Sequence, residues 1–152
     1  MKPRSPTSAV VRRVMPAPPE DVYDQWLDPD ALAEFMCPAP ARSRDVQCEA
    51  WIGGRLQIVM VDGETTIKIV GEYLELDRPR RLEFTWKSDH HGGFESVVTV
   101  SFEPHGDGET LMTIEHALPP QLVGDHQQGW QQIAELLARR LQPRADRKEK
   151  TL

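Results

Sequence analysis

The hydrophobic period changes twice along the chain. From about Val46 to His116 apolar residues recur at every second position, the mark of half-buried strands, whereas in the segments EDVYDQWL and DPDALAEFM before it and His126 to Gln142 after it they recur at three- and four-residue intervals. Val46, Cys48 and Ala50 alternate with polar neighbours until Gly53 and Gly54 interrupt the run, and Leu56, Ile58 and Met60 resume it. The dipeptide Asp62-Gly63 suits a tight primed turn, after which Ile67, Ile69, Gly71 and Tyr73 continue one face. RPRR marks the next turn, before Leu82, Phe84 and Trp86. SDHHGGFES separates these from Val98, Val100 and Phe102, and PHGDGE separates those from Met112, Ile114 and His116. The spacing predicts six antiparallel strands in meander order.

The flanks read differently. Ser8 to Met15 is β-branched at its centre and stops at PAPP, which predicts a first strand ended by prolines. Pro18 and Pro19 then open EDVYDQWL as a helix, since proline is tolerated in a first turn and Glu20 and Asp21 suit the positive end of the dipole. Val22 and Trp26 share its buried stripe. Asp28 opens a second short helix, DPDALAEFM, with Leu32, Phe35 and Met36 on one side. Near the end, LPPQLVGD reads as a loop, and the segment from about His126 to Gln142 carries the strongest helical pattern, with Trp130, Ile133, Ala134, Leu137 and Leu141 on one stripe. Pro143 stops it. The order predicts one α+β domain over residues 8–142, helices on one face of a curved antiparallel sheet, between flexible ends at 1–7 and 143–152. A sheet that curls around one long helix leaves a gap, which is where function is to be sought.

Composition narrows the classes. A chain of 152 residues buries about 68–70% of its unfolded surface and builds a core without metals or disulfides. Its 18 Lys and Arg against 24 Asp and Glu give a net charge of -6, and the basic residues are scattered except near the end. A nucleic-acid-binding stripe is therefore not expected. No apolar run approaches the ~20 residues that span a bilayer, and MKPRSPTSAVVRRVMPAP has no secretory apolar core. Cys37 and Cys48 lack metal-type spacing, which fits a reduced, cytoplasmic setting.

At this point an ordered set of motifs carries a resemblance: EDVYDQWLDPDALAEFM, WIGGRLQIVM, VGEYLELDRPRRLEFTW, and IEH followed by DHQQGW. From about Ala9 to Leu141 the chain resembles the helix-grip superfamily of START-type lipid carriers, polyketide cyclases and the birch pollen allergen. Within it, the sequence is most similar to the branch named for the activator of heat-shock-protein-90 ATPase. The resemblance implies a long C-terminal helix gripped by a seven-stranded sheet, with two small helices closing a cavity. It puts Phe35 and Met36 at the lid, and His116, His126 and Trp130 near the helix. Met36 departs from the second aromatic residue of many relatives. Trp51 departs from a common charge, and its parity, shared with Gln47 and Glu49, turns it outward.

Each candidate site has a bland reading beside the chemical one. Asp89, His90 and His91 look like metal ligands, but adjacent strand residues point to opposite faces, and the glycine pair suits a hairpin tip. His116 and His126 read either as a polar pair at the cavity mouth or as hydrogen-bonded ties between loop and helix. Trp26, Phe35, Met36, Met60, Phe84, Trp86, Met112 and Trp130 divide between pocket wall and core. Glu64, Glu72, Glu83 and Glu95 read as a solvated face. Cys37 lacks a histidine at diagnostic spacing and reads as a partly buried thiol.

The expectation is a carrier or sensor for a hydrophobic small molecule, held between the C-terminal helix and the sheet. Its contacts are expected among Phe35, Met36, Met60, Ile69, Phe84, Trp86, Val98, Met112, His116, His126, Trp130 and Ile133. No metal, cofactor, nucleic acid or membrane insertion is expected. Two other readings stay open: a chaperone-ATPase-interacting protein, weakened because the resemblance covers one domain only, and a cyclase or hydratase using a cavity histidine. The outward Trp51 and the broad sheet leave room for a two-fold homodimer.

Overall fold

The computed structural model describes residues 8–89 and 92–142; the expected flexible ends and the pair His90 and His91 lie outside the described residues. Strand β1 (Ser8–Met15) is followed by helices α1 (Pro19–Gln25) and α2 (Pro29–Phe35). Strands β2 (Arg42–Cys48), β3 (Arg55–Asp62), β4 (Thr65–Asp77), β5 (Arg81–Ser88), β6 (Glu95–Pro104) and β7 (Thr110–Ala117) come next, and α3 (Pro120–Arg140) closes the order. The seven strands form one antiparallel sheet in the order β1-β7-β6-β5-β4-β3-β2. This is the α+β helix-grip arrangement that the hydrophobic pattern and the resemblance predict.

The local reasons are legible. In α1, Pro18 and Pro19 stand where no helical amide bond is required, and Glu20 and Asp21 fill the first turn. Asp28 caps α2, its carboxylate accepting from the Asp30 amide at 3.0 Å. Three boundaries differ from the sequence expectation. First, α3 starts at Pro120, not His126, because Pro119 is its extended N-cap and Pro120 its first residue. The prolines of LPPQLVGD thus mark a helix start, and Leu122 and Val123 pack partly against the core. The resulting 21-residue helix is about 31 Å long. Second, β2 lies earlier than Val46 to Ala50, since the chain already turns at Glu49, whose amide reaches the Arg55 carbonyl at 2.8 Å. Third, Asp62 pairs with Thr65, so the loop residues are Gly63 and Glu64, with Gly63 alone at positive φ (64°). The turn sits one residue later than the Asp62-Gly63 signal suggested.

The inner face of the sheet is built by Leu82, Phe84 and Trp86 of β5, Val98, Val100 and Phe102 of β6, and Met112, Ile114 and His116 of β7, all buried. Against it lies the α3 stripe of Trp130, Ile133, Ala134 and Leu137. Burying a large aliphatic or aromatic side chain contributes about 1.5–3 kcal/mol, so this face dominates cohesion. Curvature has a local cause in β4. An added Cβ on Gly71 would lie 2.0 Å from the Thr85 carbonyl oxygen, and a register shift follows between Tyr73 and Glu75. Bulges of this kind bend a strand.

Both sheet edges are managed. Along β1, the Gln127 side chain of α3 accepts from the Val10 amide at 2.8 Å and donates to its carbonyl at 2.6 Å. The amide group stands in for a missing neighbouring strand. Arg13 adds a bidentate pair with Glu135 at 2.8 and 3.2 Å. On β2, exposed Arg42, Arg44 and Asp45 blunt the other edge. Among the described residues no helix is long and apolar enough to cross a membrane.

Candidate functional site

Strand pairing brings separated residues into a row. Met60 of β3 faces Ile67 of β4, Ile69 of β4 faces Ser88 of β5, Trp86 of β5 faces Ser96 of β6, and Val98 of β6 faces His116 of β7. Helix α3 lies over this row, bringing Asp125, His126, Gly129, Trp130 and Ile133 to it. Between them is a pocket of about 180 Å³. Its walls are Met60, Ile67, Ile69 and Trp86 from the sheet and Trp130 and Ile133 from the helix. Ser88, Asp125 and His126 supply its polar groups, and Gly129 leaves one stretch of the helix surface bare.

Behind the wall, the buried polar groups form a directed chain. An indole N–H can only donate. Trp130 Nε1 donates to His116 Nδ1 at 3.0 Å, which leaves the imidazole proton on Nε2. That nitrogen meets Ser96 Oγ at 2.7 Å, and the Ser96 hydroxyl donates to the Trp86 carbonyl at 3.1 Å. His116 is fully buried, and it is packed edge-on against Trp86 at 5.6 Å and Trp130 at 5.9 Å between ring centres. The network therefore holds the Trp130 indole by its N–H, while it meets Trp86 at the backbone carbonyl and by ring packing. His126 Nδ1 donates to the Leu122 carbonyl one turn back at 2.9 Å, and its ring meets His116 at 5.0 Å, perpendicular.

The Trp86 indole differs from Trp130. Its Nε1–H is shielded from solvent and has no acceptor among the described residues; the same holds for Trp26, which lies outside the pocket wall. Trp26 reaches in from the end of α1 and packs against Phe35 at 5.1 Å, Trp130 at 6.2 Å and Phe84 at 6.4 Å. It fills the space beneath α3 that a large enclosed cavity would need.

Of the expected contacts, Met60, Ile69, Trp86, His126, Trp130 and Ile133 stand in the pocket wall. Phe35, Met36, Phe84, Val98, Met112 and His116 are instead in the packed core, each at most 2% exposed. Face was readable from parity, but depth was not: Trp26 occupies the interior, so inward-facing residues beneath it touch protein. Phe35 and Met36 therefore pack in the core rather than closing a lid over an open chamber. Sequence reasoning missed Ile67, Ser88, Asp125 and Gly129. Ile67 and Ser88 share the parity of Ile69 and Trp86, Asp125 falls in the stretch LPPQLVGD, and Gly129, within the helical segment from His126 to Gln142, offers no side chain to read.

The remaining candidates sort simply. Burial pushes the Cys37 thiol up to about 11, and the Cys48 sulfur lies 3.1 Å from the Tyr73 hydroxyl. Both cysteines are free. Asp89 accepts from the Lys68 amide at 3.1 Å, tying the start of the β5–β6 connection to β4. Glu64, Glu72 and Glu95 are exposed, and Glu83 accepts from Thr99 and Arg81. Trp51 is 60% exposed, as its parity predicts, beside Ile52. A wider groove of about 690 Å³ lies by the C-terminal end of α3, with Asp21, Asp24, Glu34 and Arg140 in its walls. It is broad, polar and bounded by Gln142, the last described residue, so the smaller apolar pocket is the candidate site.

The comparisons agree with this architecture. A solved protein from Chromobacterium violaceum is 28% identical, with a TM-score of 0.81 over 90% of this chain and 97% of that one. The AHSA1 protein from Silicibacter pomeroyi is 22% identical, with a TM-score of 0.78 over 89% of this chain and 97% of that one. One from Rhodobacter sphaeroides is 21% identical, with a TM-score of 0.77 over 92% and 95%. The last two show shared fold alone. No curated protein matches at a significant level. The sequence model described as "Activator of Hsp90 ATPase homolog 1-like protein" matches residues 16–142, and the chain belongs to that family.

Proposed function

We propose that this protein binds a small apolar molecule in the pocket between α3 and the β3–β5 part of the sheet, as a carrier or sensor. The observation that carries the reading is Gly129. Glycine in a helix interior is less favourable than alanine by about 1 kcal/mol, and nothing lies within 4 Å of a Cβ added there. Packing does not demand it, yet it borders the pocket and keeps one wall open. The volume, about 180 Å³, is roughly that of six liquid waters. It is below the usual ~300 Å³ of drug-sized sites, which points to a ligand of one or two fused rings.

A proton-shuttling role for His116 is less well supported, because both its ring nitrogens are committed to Trp130 and Ser96. Chaperone-ATPase interaction is motivated by the family description alone, whereas the pocket has residues behind it. Free Cys37 and Cys48 suit action in a reducing cytoplasm.

The test is Gly129→Met. The new side chain fills the pocket, so the variant is expected to unfold at higher temperature by about 0.5–1 kcal/mol of added helix stability. It should also lose binding of small apolar probes at least tenfold. Wild type should gain about 2.7 kcal/mol of stability at a probe concentration 100 times Kd. Equal probe affinity in both proteins, or no thermal protection of either, refutes the proposal.

A further inference from the structure

We infer that the molecule held in this pocket carries a neutral hydrogen-bond acceptor, a carbonyl or ether oxygen on a small planar frame, and that Trp86 Nε1–H is the group that reads it. The inference rests on the pocket reading above and names the ligand's chemical class.

Two tryptophans form the pocket wall, and the protein treats them differently. Trp130 has its N–H taken by His116 Nδ1 at 3.0 Å. Trp86 is 7% exposed, with an N–H that meets neither solvent nor an acceptor among the described residues. A donor in that condition costs free energy that a correctly placed acceptor recovers. Native folds leave few such groups, and an orphan on a residue of the pocket wall calls for an explanation. The Trp86 carbonyl, by contrast, is supplied with the Ser96 hydroxyl at 3.1 Å. The orphan is thus confined to the part of Trp86 that the ring network does not serve.

The rest of the wall limits the acceptor. Met60, Ile67, Ile69 and Ile133 offer apolar surface with no hydrogen-bond donor, so the ligand's frame is apolar where it meets them. Among the described residues no Lys or Arg borders the pocket, while Asp125 does, which disfavours a carboxylate or phosphate. A ketone, aldehyde, ester or ether satisfies the indole without importing a buried charge. Because Nε1 is sealed from solvent, the indole must tilt slightly as the acceptor arrives. That motion gives a partner to a donor the interior now leaves unused.

The experiment uses the full chain and a matched pair of probes, indane and 1-indanone, which differ by one carbonyl oxygen. Dissociation constants are measured for wild type and Trp86→Phe, and the indole N–H resonances are followed in ¹H–¹⁵N spectra of the wild type. The expected result is that 1-indanone binding weakens about three- to tenfold in Trp86→Phe, while indane changes less than about twofold. In wild type, 1-indanone but not indane should move the Trp86 N–H resonance downfield. If the variant does not fold, the resonance decides. If neither probe binds, the pocket reading fails and this inference falls with it. If both bind but the Trp86 resonance is indifferent to the carbonyl, or both lose equally in the variant, the pocket stands and the acceptor assignment is overturned. A ring face of Trp130 or His116 would then be the partner of the indole N–H.

Discussion

Replacing His116 with Leu keeps an apolar body of similar size in the core while removing both ring nitrogens. Two consequences follow from the geometry. Trp130 Nε1–H loses its acceptor at 3.0 Å, and Ser96 Oγ loses its neighbour at 2.7 Å while keeping the Trp86 carbonyl as its own acceptor. Leaving a buried donor unpaired costs about 1–3 kcal/mol, and a lost neutral hydrogen bond about 0.5–1.5 kcal/mol. Leucine's easier transfer from water offsets part of this. The net expectation is a loss of about 2–3 kcal/mol. With a urea slope of about 1–3 kcal/mol per M, the unfolding midpoint should fall by roughly 1–2 M. Trp130→Phe should also destabilise, since it leaves His116 Nδ1 without its donor. The double variant separates the shared bond from the rest: combined, the two losses should fall short of their sum by about 1–2 kcal/mol. Denaturation followed by circular dichroism, at one pH and one ionic strength, supplies all four corners of the cycle. If His116→Leu costs under about 0.5 kcal/mol, or the two substitutions add without coupling, the directed chain is not what holds Trp130 in the pocket wall.

Gly71→Ala should cost more than about 3 kcal/mol, measured by thermal or urea unfolding, because its Cβ would meet the Thr85 carbonyl at 2.0 Å and only a shift of β4 against β5 relieves it; a near-neutral result would contradict the close approach. Arg13→Met removes the partner that holds Glu135 below its ordinary carboxylate value. That exposed pair should contribute under about 1 kcal/mol after screening. Its contribution is present above the unfolded value of 4.5 and vanishes as pH falls through the lower folded value. The stability difference between Arg13→Met and wild type should therefore close below pH 4.5; a gap that widens in acid would reverse the assignment. Cys37, with its thiol pushed up to about 11, should be about 0.1% thiolate at pH 8. Aromatic disulfide reagents should label it only as the protein unfolds, and rapid labelling in the native state would contradict its burial.

The fold was largely legible because two simple periods govern it. Val98, Val100 and Phe102, or Met112, Ile114 and His116, alternate so regularly that their shared face follows from the pleat. Proline was harder to read. Pro119 and Pro120 looked like loop punctuation, yet the same stereochemistry opens α3, and only packing of Leu122 and Val123 against the core decides between the two. His90 and His91, candidate ligands by residue type, lie outside the described residues, while the Asp89 carboxylate beside them accepts from the Lys68 amide.

What the sequence determined by itself is the order of elements, the inward set of side chains and the family's architecture, all consequences of local periodicity and capping. What tertiary structure decided is depth. Trp26, from a helix far away in sequence, occupies the centre beneath α3, which turned Phe84, Val98 and Met112 into core and left the pocket to Met60, Ile69, Trp86, Trp130 and Ile133. Nor does any local pattern distinguish Trp130, whose N–H His116 receives, from Trp86, whose N–H has no acceptor among the described residues. Hydrogen bonds between side chains depend on where the sheet curls and which rings reach one another, and those distances exist only once the chain has folded.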